Sequence, residues 1–561
     1  MDGETGDEGY RRLGLLAPSR RVPIPGGPQD VANILDATLN LDPGREALVG
    51  RHSRFTYREL DAAINAAAKG LAALNVEQGV RVAAALSNHP EAVVAYLATQ
   101  RLGAIWVGVN PKLTHAEKTV LFSDVSPTVL LLDAEEAAGV SYRSALPASC
   151  SVIGVSPANP DCEWKALLGR NAGAGRPPVV VDPYAPAAIS FTSGTTGRPK
   201  GAVHSQHGIL VCAWGANAGM RGELGPIPST LRRGSVSVMS LNAMINCMLI
   251  PLAGGGAGVC VDRRDALGIA EWIERERIAV ISLATPVIYD LVRRYDVAPD
   301  KLASLKFVTS LGSPIPQELR AAFEQRFRAP ILAGYGQTEA PGPVAGASLD
   351  RPPKGETAGL AHRHIEIAIL DTDDRTMPPG HQGQICARAA ATGPWAGVYT
   401  PMLGYWHRAE ATEAALRNGW LHTGDIGSLD ADGYVTVHGR LSDMILRGGA
   451  NVYPAEIEQV ISRDRRVAAV AIVGQPDPRL GERVVAFVQT VPGIVADKTL
   501  AAELKEACGH ELSRYKVPEE WIFVEAFPRG PTDKILKPLL QQMYFHGTAS
   551  VTTPSAAMTA G

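Results

Sequence analysis

The stretch that most constrains this chain covers residues 191–201 and has the sequence Phe-Thr-Ser-Gly-Thr-Thr-Gly-Arg-Pro-Lys-Gly. It follows an apolar run that is typical of a buried strand, so a strand is predicted to lead into an irregular loop. Glycine allows positive φ and a close approach of the backbone, and successive N–H groups then converge on an anion. Hydroxyl and ammonium groups donate to phosphate oxygens. The pattern predicts a phosphate-binding loop that consists of Thr192, Ser193, Gly194, Thr195, Thr196, Gly197 and Lys200.

Two other interpretations of this loop are weaker. A flexible glycine- and serine-rich surface turn requires neither the lysine nor so many hydroxyls. A Walker A loop requires four residues between its first glycine and a Gly-Lys pair that precedes Ser or Thr. Here two residues separate Gly194 from Gly197, and Lys200 follows Pro199 and precedes Gly201. A kinase or motor ATPase of the P-loop type is therefore disfavoured.

The loop resembles, nearly residue for residue, the phosphate loop of the adenylate-forming (AMP-binding) superfamily. That superfamily includes acyl-CoA synthetases, peptide-synthetase adenylation domains and luciferases. In the family the loop holds the β- and γ-phosphates of ATP while a carboxylate attacks the α-phosphate. The resemblance therefore implies ATP as a substrate.

A second motif, Tyr335-Gly336-Gln337-Thr338-Glu339, follows the apolar segment 330–333. Alone it is equally well explained as a turn with a helix cap. After the phosphate loop it resembles the superfamily's second nucleotide motif, which implies that Tyr335 stacks on adenine, Thr338 contacts the α-phosphate and Glu339 binds Mg²⁺. Mg²⁺ on a triphosphate usually takes one or two protein carboxylates. The further nucleotide-binding residues that the resemblance implies are Gly312, Ser313, Gly336 and Gln337.

Three further segments occur in family order. His422-Thr423-Gly424-Asp425 resembles the motif whose aspartate binds both ribose hydroxyls, although a Gly-Asp turn is common in any protein. Residues 439–445 resemble the hinge before a mobile C-terminal domain, with Ser442 at the pivot where Asp or Lys is usual. Arg440 is assigned to the nucleotide, and the CoA path is assigned to Arg447, Gly448 and Gly449. Residues 451–458 have the form seen in acyl- and aryl-CoA synthetases, which favours CoA over a carrier protein.

Residues 527–537 resemble the Pro-Arg-Thr-x-x-Gly-Lys ending of the family, whose lysine bridges the carboxylate and the α-phosphate. Lys534 takes that place, with Asp533 instead of the usual glycine and Gly530 instead of the usual threonine. The resemblance implies that Lys534, Thr338 and Glu339 are the catalytic residues.

The acyl pocket is the least specific part of the resemblance, because residues 239–248 lack the aromatic or histidine that often borders it. The apolar character of this segment suggests a medium-chain, alicyclic or aromatic acid. The pocket candidates are Leu241, Asn242, Met244 and Gly334.

Composition excludes several other classes. The net charge of −3 gives no general attraction to nucleic acid or to an anionic membrane. The seven cysteines are scattered without a Cys-x-x-Cys pair, so neither a zinc site nor a disulfide framework is predicted. We expect no signal peptide, no membrane span and a cytoplasmic location. The oligomeric state is left open.

We expect an α/β fold. A large N-terminal adenylation domain (31–438) should contain parallel-type sheets and a β-rich subdomain from 358 to 437, and a small mobile α+β domain (443–545) should follow a hinge at 439–442. Residues 1–30 are expected to be a flexible segment and residues 546–561 a disordered tail. Within the large domain, 215–234 is predicted to be an irregular surface connection and 236–240 a strand. A capping box at 56–59 predicts a helix with Leu60, Ile64, Ala67 and Leu71 on one face.

The function implied is acid + ATP + CoA → acyl-CoA + AMP + pyrophosphate. One alternative is an adenylating enzyme that loads a separate carrier protein. Another is a non-catalytic nucleotide-binding homologue, given Ser442, Asp533 and the missing pocket histidine. A luciferase-like oxygenase is remote, because nothing in the sequence indicates oxygen chemistry.

Overall fold

The computed structural model describes residues 7–192, 199–224, 231–239, 241–294, 296–311, 315–352, 354–448, 450–530 and 535–545. Among the helices of these residues, none combines the length and the apolar character that crossing a bilayer requires. The division of the chain into two compact units passes through the region 368–437. The larger unit comprises Met1–Ala368, Cys386–Thr423 and Leu429–Thr436. The smaller unit comprises Ile369–Ile385, Gly424–Ser428 and the chain from Val437 onward.

The strands, in chain order, are β1 (Glu46–Val49), β2 (Arg54–Thr56), β3 (Arg81–Ala85), β4 (Ile105–Gly108), β5 (Val129–Asp133), β6 (Ser151–Val155), β7 (Pro186–Thr192), β8 (Lys200–Ser205), β9 (Arg232–Ser235), β10 (Ala257–Cys260), β11 (Val280–Ser282), β12 (Phe307–Leu311), β13 (Ile331–Gln337), β14 (Ala340–Gly346), β15 (Leu360–Ala361), β16 (Ile365–Leu370), β17 (Gly383–Ala389), β18 (Gly404–Tyr405), β19 (Leu421–Leu429), β20 (Val435–Arg440), β21 (Ile445–Arg447), β22 (Ala450–Val452), β23 (Val467–Asp477), β24 (Gly481–Thr490) and β25 (Glu520–Phe523).

The α-helices are α1 (Asp7–Arg12), α2 (Asp36–Leu41), α3 (Tyr57–Ala72), α4 (Pro90–Arg101), α5 (His115–Val125), α6 (Ala134–Ala137), α7 (Glu163–Arg170), α8 (Gln206–Leu224), α9 (Leu241–Ala243), α10 (Ile250–Ala253), α11 (Ala266–Glu276), α12 (Thr285–Arg293), α13 (Gln317–Phe327), α14 (Ala409–Ala415), α15 (Pro454–Ser462), α16 (Lys498–Glu511) and α17 (Lys537–Phe545). Single turns of 3₁₀-helix occur at Arg143–Ala145, Pro299–Leu302, Leu441–Asp443 and Arg514–Lys516, and Met244–Leu249 is a π-helix.

The strands form four sheets. A seven-stranded sheet has the order β18-β8-β7-β4-β3-β5-β6, and a nine-stranded sheet has the order β15-β14-β13-β12-β11-β9-β10-β1-β2. The strands β16-β17-β19-β20 form a third sheet, and β22-β21-β24-β23, with β25 beside β24, form the fourth. In the first sheet β3 pairs in parallel with both β4 and β5, and in the second β12 pairs in parallel with β11 and β13. The predicted α/β class with parallel-type sheets is confirmed.

The capping box predicted at 56–59 and the helix after it both form. Thr56 caps α3: its hydroxyl accepts the Glu59 N–H at 3.2 Å, and the Glu59 carboxylate accepts the Thr56 N–H at 2.8 Å. The four predicted face residues of α3 are all fully buried. α4, which joins β3 to the parallel strand β4, is buried along its whole length. A helix that is buried on all sides needs small and apolar residues all round, which the segment 92–98 supplies.

The smaller unit has a core on both faces of β24. Val484, Ala486 and Val488 pack on one side with residues of α15 and α16, and Val485 and Phe487 pack on the other side with Leu540 of α17. Because successive side chains of a strand point to opposite faces, a run of apolar residues is the expected sequence for a strand covered on both sides.

All seven cysteines are buried and free. Burial raises the pKa of the Cys150 and Cys508 thiols to about 11, and it raises the pKa of Cys212 further.

Three expectations are wrong. The segment 215–234 is not an irregular connection, because α8 continues to Leu224 and β9 begins at Arg232. The apolar start of α8, including Ile209 and Val211, is fully buried, and this packing outweighs the low helix propensity of the glycines that follow.

The strand predicted at 236–240 is instead β9 at Arg232–Ser235, and residues 236–239 lie outside any strand. Arg232 is accommodated there because it forms ion pairs with Glu46 and Glu276. Charge pairing of this kind is not visible in a hydrophobicity pattern.

The N-terminal segment has a helix and buried side chains over residues 7–30. α1 lies there, and Tyr10, Leu15 and Ile24 are buried. The Tyr10 hydroxyl donates to the Tyr184 carbonyl at 3.0 Å. A few well-spaced apolar side chains anchor a segment whose composition is otherwise polar.

Candidate active site

The predicted phosphate loop connects two paired strands. β7 and β8 are antiparallel, with Thr192 opposite Lys200 and Phe191 opposite Gly201. The Thr192 hydroxyl donates to the Lys200 carbonyl at 3.4 Å. A Cβ at Gly201 would lie 2.7 Å from Ile189 Cγ2, so only glycine fits the tight pairing. The two ends of the loop are therefore fixed beside each other, while Ser193, Gly194, Thr195, Thr196 and Gly197 lie outside the described residues.

The second motif lies on a hairpin. β13 and β14 are antiparallel, with irregular register at Tyr335, Gly336 and Gln337, and Thr338 and Glu339 form the connection. A Cβ at Gly336 would lie 2.8 Å from the Gly342 carbonyl oxygen, so a larger residue would push the two strands apart. Tyr335 is largely buried on β13. The motif is thus a strand end and a turn, not a turn with a helix cap.

The Glu339 carboxylate is positioned by a residue far along the chain. The Tyr405 hydroxyl donates to Glu339 Oε1 at 2.8 Å, and the Met402 N–H donates to the Glu339 carbonyl at 2.9 Å. The Lys200 ammonium lies 5.2 Å from the centre of the same Tyr405 ring. Lys200, Tyr405 and Glu339 therefore form one array, which combines a cation and a carboxylate without a direct ion pair between them.

Tyr405 is held in place by its own local structure. β18 pairs with β8, with Tyr405 opposite Ala202. The buried Thr412 hydroxyl accepts the Tyr405 N–H at 2.9 Å and donates to the Gly14 carbonyl at 2.7 Å. Sequence reasoning missed Tyr405. The only available signal was an aromatic pair, Tyr405-Trp406, after a glycine, which is common in many proteins.

Two buried polar side chains lie behind the hairpin turn. Burial lowers the pKa of His204, on β8, to about 4, and the backbone of Thr338 offsets only part of this effect. His204 is therefore neutral near pH 7. The buried side-chain amide of Gln337 has no hydrogen-bond partner among the described residues. Such a group costs free energy unless a ligand or water satisfies it.

The Glu339 carboxylate fits an octahedral cation that is shared with phosphate. Within the described residues, no group of three or more His, Cys, Asp or Glu side chains is arranged to hold a metal ion. Mg²⁺ bound to a triphosphate needs only one or two protein carboxylates and keeps several waters. A partly exposed carboxylate with one oxygen fixed by Tyr405 meets that requirement.

The predicted acyl-pocket residues adjoin the hairpin. Leu241 and Met244 are buried in α9 and the π-helix. The Asn242 amide donates to the Gln337 carbonyl at 3.4 Å, and its oxygen accepts the Gly342 N–H at 3.2 Å. Gly334 lies on β13 opposite Gly346. Asn242 thus ties the segment 241–249 to the strands that carry the nucleotide motif.

The remaining described site residues belong to the smaller unit. Asp425 is buried on β19, and Arg440 Nε lies 2.8 Å from Asp425 Oδ1. Ser442 is exposed in a 3₁₀ turn, where its hydroxyl donates to Asp443 Oδ1 at 3.2 Å. Arg447 pairs with Glu519 at 2.5 Å. Gly448 has φ +57°, and its N–H donates to the Leu480 carbonyl at 2.7 Å.

Four other predicted residues have no structural description. Gly312, Ser313, Gly449 and Lys534 lie outside the described residues, and their roles stay predictions.

Two family models match the chain. The AMP-binding enzyme model matches residues 35–406, and the model of the AMP-binding enzyme C-terminal domain matches residues 456–534. These matches cover most of both units.

Curated relatives cover nearly the whole chain. The chain is 31% identical to an indoleacetate–CoA ligase of Aromatoleum aromaticum, over 92% of this chain and 98% of the relative. It is 34% identical to the 3-[(3aS,4S,7aS)-7a-methyl-1,5-dioxo-octahydro-1H-inden-4-yl]propanoyl:CoA ligase of Mycobacterium tuberculosis, over 91% of this chain and 98% of the relative.

A solved structure has the same fold. The AMP complex of the o-succinylbenzoate coenzyme A synthetase from Bacillus subtilis is 27% identical and superposes with a TM-score of 0.77, over 91% of this chain and 98% of that chain. ATP, CoA and a small carboxylic acid as substrates fit this family. The chain belongs to the AMP-binding enzyme family, in the acyl- and aryl-CoA synthetase branch of the adenylate-forming superfamily, and is an ATP-dependent acid–CoA ligase.

Proposed function

We propose that the protein activates a medium-chain, alicyclic or aromatic carboxylic acid as its acyl-adenylate and then transfers the acyl group to CoA. The observation that carries this proposal is the array of Lys200, Tyr405 and Glu339. The Lys200 ammonium lies over the Tyr405 ring, and the Tyr405 hydroxyl donates to the Glu339 carboxylate. Such an array supplies one positive charge and one cation-binding carboxylate where a triphosphate would lie between the two hairpins.

In the first half-reaction a carboxylate oxygen of the acid attacks the α-phosphorus of ATP, and pyrophosphate leaves. The loop hydroxyls and backbone N–H groups of 192–197, with Lys200, hold the β- and γ-phosphates, and Thr338 and Lys534 stabilise charge on the α-phosphate. Glu339 would hold Mg²⁺, which neutralises charge on the phosphate oxygens when bound. Tyr335, with Gly336, Gln337, Gly312 and Ser313, orients the base.

The ribose is assigned to Asp425. A carboxylate that accepts from two vicinal hydroxyls fixes a nucleotide firmly. The Arg440 guanidinium, 2.8 Å from Asp425 Oδ1, keeps that carboxylate oriented. Arg440 is therefore a positioning residue that also lies beside the nucleotide.

In the second half-reaction the CoA thiolate attacks the carbonyl carbon of the adenylate, and AMP leaves. The proposal gives the thiol a path past Arg447, Gly448 and Gly449 after a change at the pivot residue Ser442. Glycine keeps such a path narrow but open, because it has no side chain.

The acid class is supported by the buried segment 241–249, whose side chains are apolar apart from Asn242 and Asn246. The two relatives named above are named for acids that carry a ring system. Ring acids are therefore the first candidates, with Leu241, Asn242, Met244 and Gly334 beside the carboxylate end.

The proposal is tested with a panel of carboxylic acids, by acid-dependent exchange of pyrophosphate into ATP and by AMP release with and without CoA. We expect exchange with ring acids and a CoA-dependent thioester that mass spectrometry identifies. AMP release that ignores CoA would support the carrier-protein alternative, and a lack of exchange with every acid would support a non-catalytic homologue.

A further inference from the structure

His364 is a buried imidazole without a hydrogen-bond partner in the part of the chain that the structure describes. It lies between β15 and β16 with 2% of its surface exposed, and neither ring nitrogen has a hydrogen-bond partner among the described residues. A Cβ at Gly215 of α8 would lie 2.7 Å from His364 Nδ1. The imidazole therefore packs directly on the helix backbone, at a position where only glycine leaves room for it.

Two more buried polar groups near His364 also lack a hydrogen-bond partner among the described residues. The Tyr399 ring lies 5.8 Å from the His364 ring, centre to centre, and its buried hydroxyl has no partner in the described part of the chain. His362 stacks on His364 at 5.9 Å, and its Nε2 is likewise buried and unpartnered. The Trp395 ring also packs near His364, with 5.8 Å between the two ring centres. We call His362, His364 and Tyr399 the distal cluster.

The distal cluster is a cluster of neutral groups. Burial lowers the pKa of His362 to about 4 and lowers that of His364 well below its usual range. Burial raises the pKa of Tyr399. Each imidazole then offers one donor and one acceptor, and the phenol hydroxyl can also both donate and accept. Groups of this kind suit an uncharged oxygen, whereas a buried carboxylate would need a cationic partner.

A continuous set of contacts links the distal cluster to the predicted carboxylate end of the acyl pocket. Asn242 binds the Gly342 N–H at 3.2 Å. A Cβ at Gly342 would lie 2.8 Å from Cys212 Cβ. Cys212 and Gly215 are three residues apart on α8, which is about 4.5 Å along the axis. The His362 N–H donates to the Val344 carbonyl, two residues beyond Gly342, at 3.2 Å.

We propose that the distal cluster binds a neutral oxygen, a ketone or hydroxyl, at the end of the acid opposite its carboxylate. The substrate class is then a ring acid with a polar far end, not a plain hydrocarbon acid. The inference deepens the proposed function and rests on it. In the absence of such a substrate the distal cluster leaves at least three buried polar groups unsatisfied, which is costly unless water fills the space.

The test compares three acids in acid-dependent pyrophosphate exchange: 3-(4-oxocyclohexyl)propanoate, 3-cyclohexylpropanoate, and the analogue with a carboxylate in place of the ketone. The parent enzyme should have a kcat/KM for the keto acid at least about tenfold above that for the hydrocarbon acid, as one or two neutral hydrogen bonds provide. The dicarboxylate should be the poorest substrate.

Tyr399→Phe removes one hydroxyl and keeps the ring. It should reduce the preference for the keto acid by about tenfold and leave the hydrocarbon acid nearly unchanged. Tyr96→Phe is the matched control, because the Tyr96 hydroxyl on α4 is also buried and has no hydrogen-bond partner within the described ranges. It should leave the preference as in the parent.

A preference that survives Tyr399→Phe, an equal loss with both acids, or a preferred dicarboxylate would overturn the inference. An equal loss of kcat/KM for the keto acid and the hydrocarbon acid would indicate that the distal cluster binds water and has a structural role. Exchange with several acids but no keto preference in the parent would overturn the inference alone. No exchange with any acid would remove the proposed function, and the inference with it.

Discussion

At the residue scale, the position of Glu339 depends on Tyr405, which is 66 residues away in the chain. The hydroxyl of Tyr405 fixes one carboxylate oxygen, and its ring faces the Lys200 ammonium. One side chain therefore sets the separation of the two charged groups. This contact was not predictable, because no local spacing relates a Gly-Tyr-Trp segment to a distant turn. The charged partners themselves were predicted, since their motifs are local.

We expect Tyr405→Phe to raise the Mg²⁺ concentration for half-maximal pyrophosphate exchange by about three- to tenfold, because hydrogen bonds to charged groups contribute about 1.5–3 kcal/mol and Glu339 is partly exposed. The ring that faces Lys200 remains. The measurement is the exchange rate as a function of magnesium concentration.

Tyr142→Phe serves as the control for this variant. The Tyr142 hydroxyl donates to Glu136 Oε1 at 2.6 Å, and Tyr142 packs in the core beside the seven-stranded sheet. The Tyr142→Phe variant therefore removes the same kind of hydrogen bond at a different place. An unchanged magnesium dependence in Tyr405→Phe would contradict the positioning role.

His204 gives a second prediction at this scale. Its pKa of about 4 lies below the ordinary value of 6.5, so between pH 7 and pH 5 the unfolded chain takes up a proton that the folded chain does not. The free energy of unfolding should therefore fall by about 2 kcal/mol from this group alone as the pH falls over that range. Between pH 7 and pH 5 the free energy of unfolding of His204→Phe should therefore fall by about 2 kcal/mol less than that of the parent.

The measurement is urea unfolding of both proteins at pH 7 and at pH 5, followed by a signal from the larger unit. The carboxylates are common to the two proteins, so their contribution cancels in the comparison. If the two proteins lose the same free energy over this range, His204 is not neutral in the folded state.

At the scale of the elements, the β13–β14 hairpin determines where the nucleotide motif lies. Gly336 permits the close pairing, and the register of the two strands is irregular at Tyr335–Gln337, just before Thr338. A β-bulge next to a functional turn redirects side chains. The sequence motif indicates the residues but not the bulge, because a bulge depends on the partner strand.

Gly336→Ala should reduce the rate of pyrophosphate exchange by about two orders of magnitude, because a misplacement of about 1 Å at a reacting centre has an effect of that size. The new Cβ would lie 2.8 Å from the Gly342 carbonyl oxygen, so the strands must shift. The measurement is the exchange rate at saturating ATP and acid, together with the far-ultraviolet circular dichroism spectrum.

Gly169→Ala is the matched control, since a Cβ there meets nothing within 4 Å. It should keep the parent rate. A Gly336→Ala variant with a parent-like rate would show that the hairpin geometry is not limiting.

α8 illustrates the limits of sequence reasoning for an element. Its second half contains glycines that indicate a loop by composition, yet the helix extends from Gln206 to Leu224. The contact between Gly215 and His364 explains one of these glycines. Helix propensity is a local quantity, and it cannot report a packing partner that lies about 150 residues further along the chain.

At the scale of the whole molecule, the α/β class and the parallel-type sheets follow from alternating strand and helix patterns together with the superfamily resemblance. The order of strands in the nine-stranded sheet was not predictable, because β1 and β2 join it at the edge beside β10, some 200 residues later in the chain. Non-local pairing of that kind leaves no trace in hydrophobic periodicity.

The pivot prediction belongs to this scale. Ser442→Pro should keep acid-dependent pyrophosphate exchange near the parent rate and lower thioester formation by at least about tenfold, because proline fixes φ near −65° and so limits changes at the pivot. This φ suits the 3₁₀ turn in which Ser442 lies. The measurements are exchange and single-turnover thioester formation.

Ser442→Ala is the control, and it should retain both half-reactions, because Ser442 is exposed and, among the described residues, its hydroxyl bonds the neighbouring Asp443 alone. If Ser442→Pro lowers exchange and thioester formation in parallel, Ser442 is not the pivot of the second half-reaction.

The burial of all seven cysteines has a practical consequence for an enzyme that consumes a thiol. A thiol-reactive chromophore such as an aromatic disulfide reacts with exposed thiolates, and buried thiols react with it poorly. When such a reagent is added to samples withdrawn from the assay mixture, it therefore reports the remaining free sulfhydryl of CoA with little background from the native protein. The decrease of that signal from one sample to the next measures the second half-reaction.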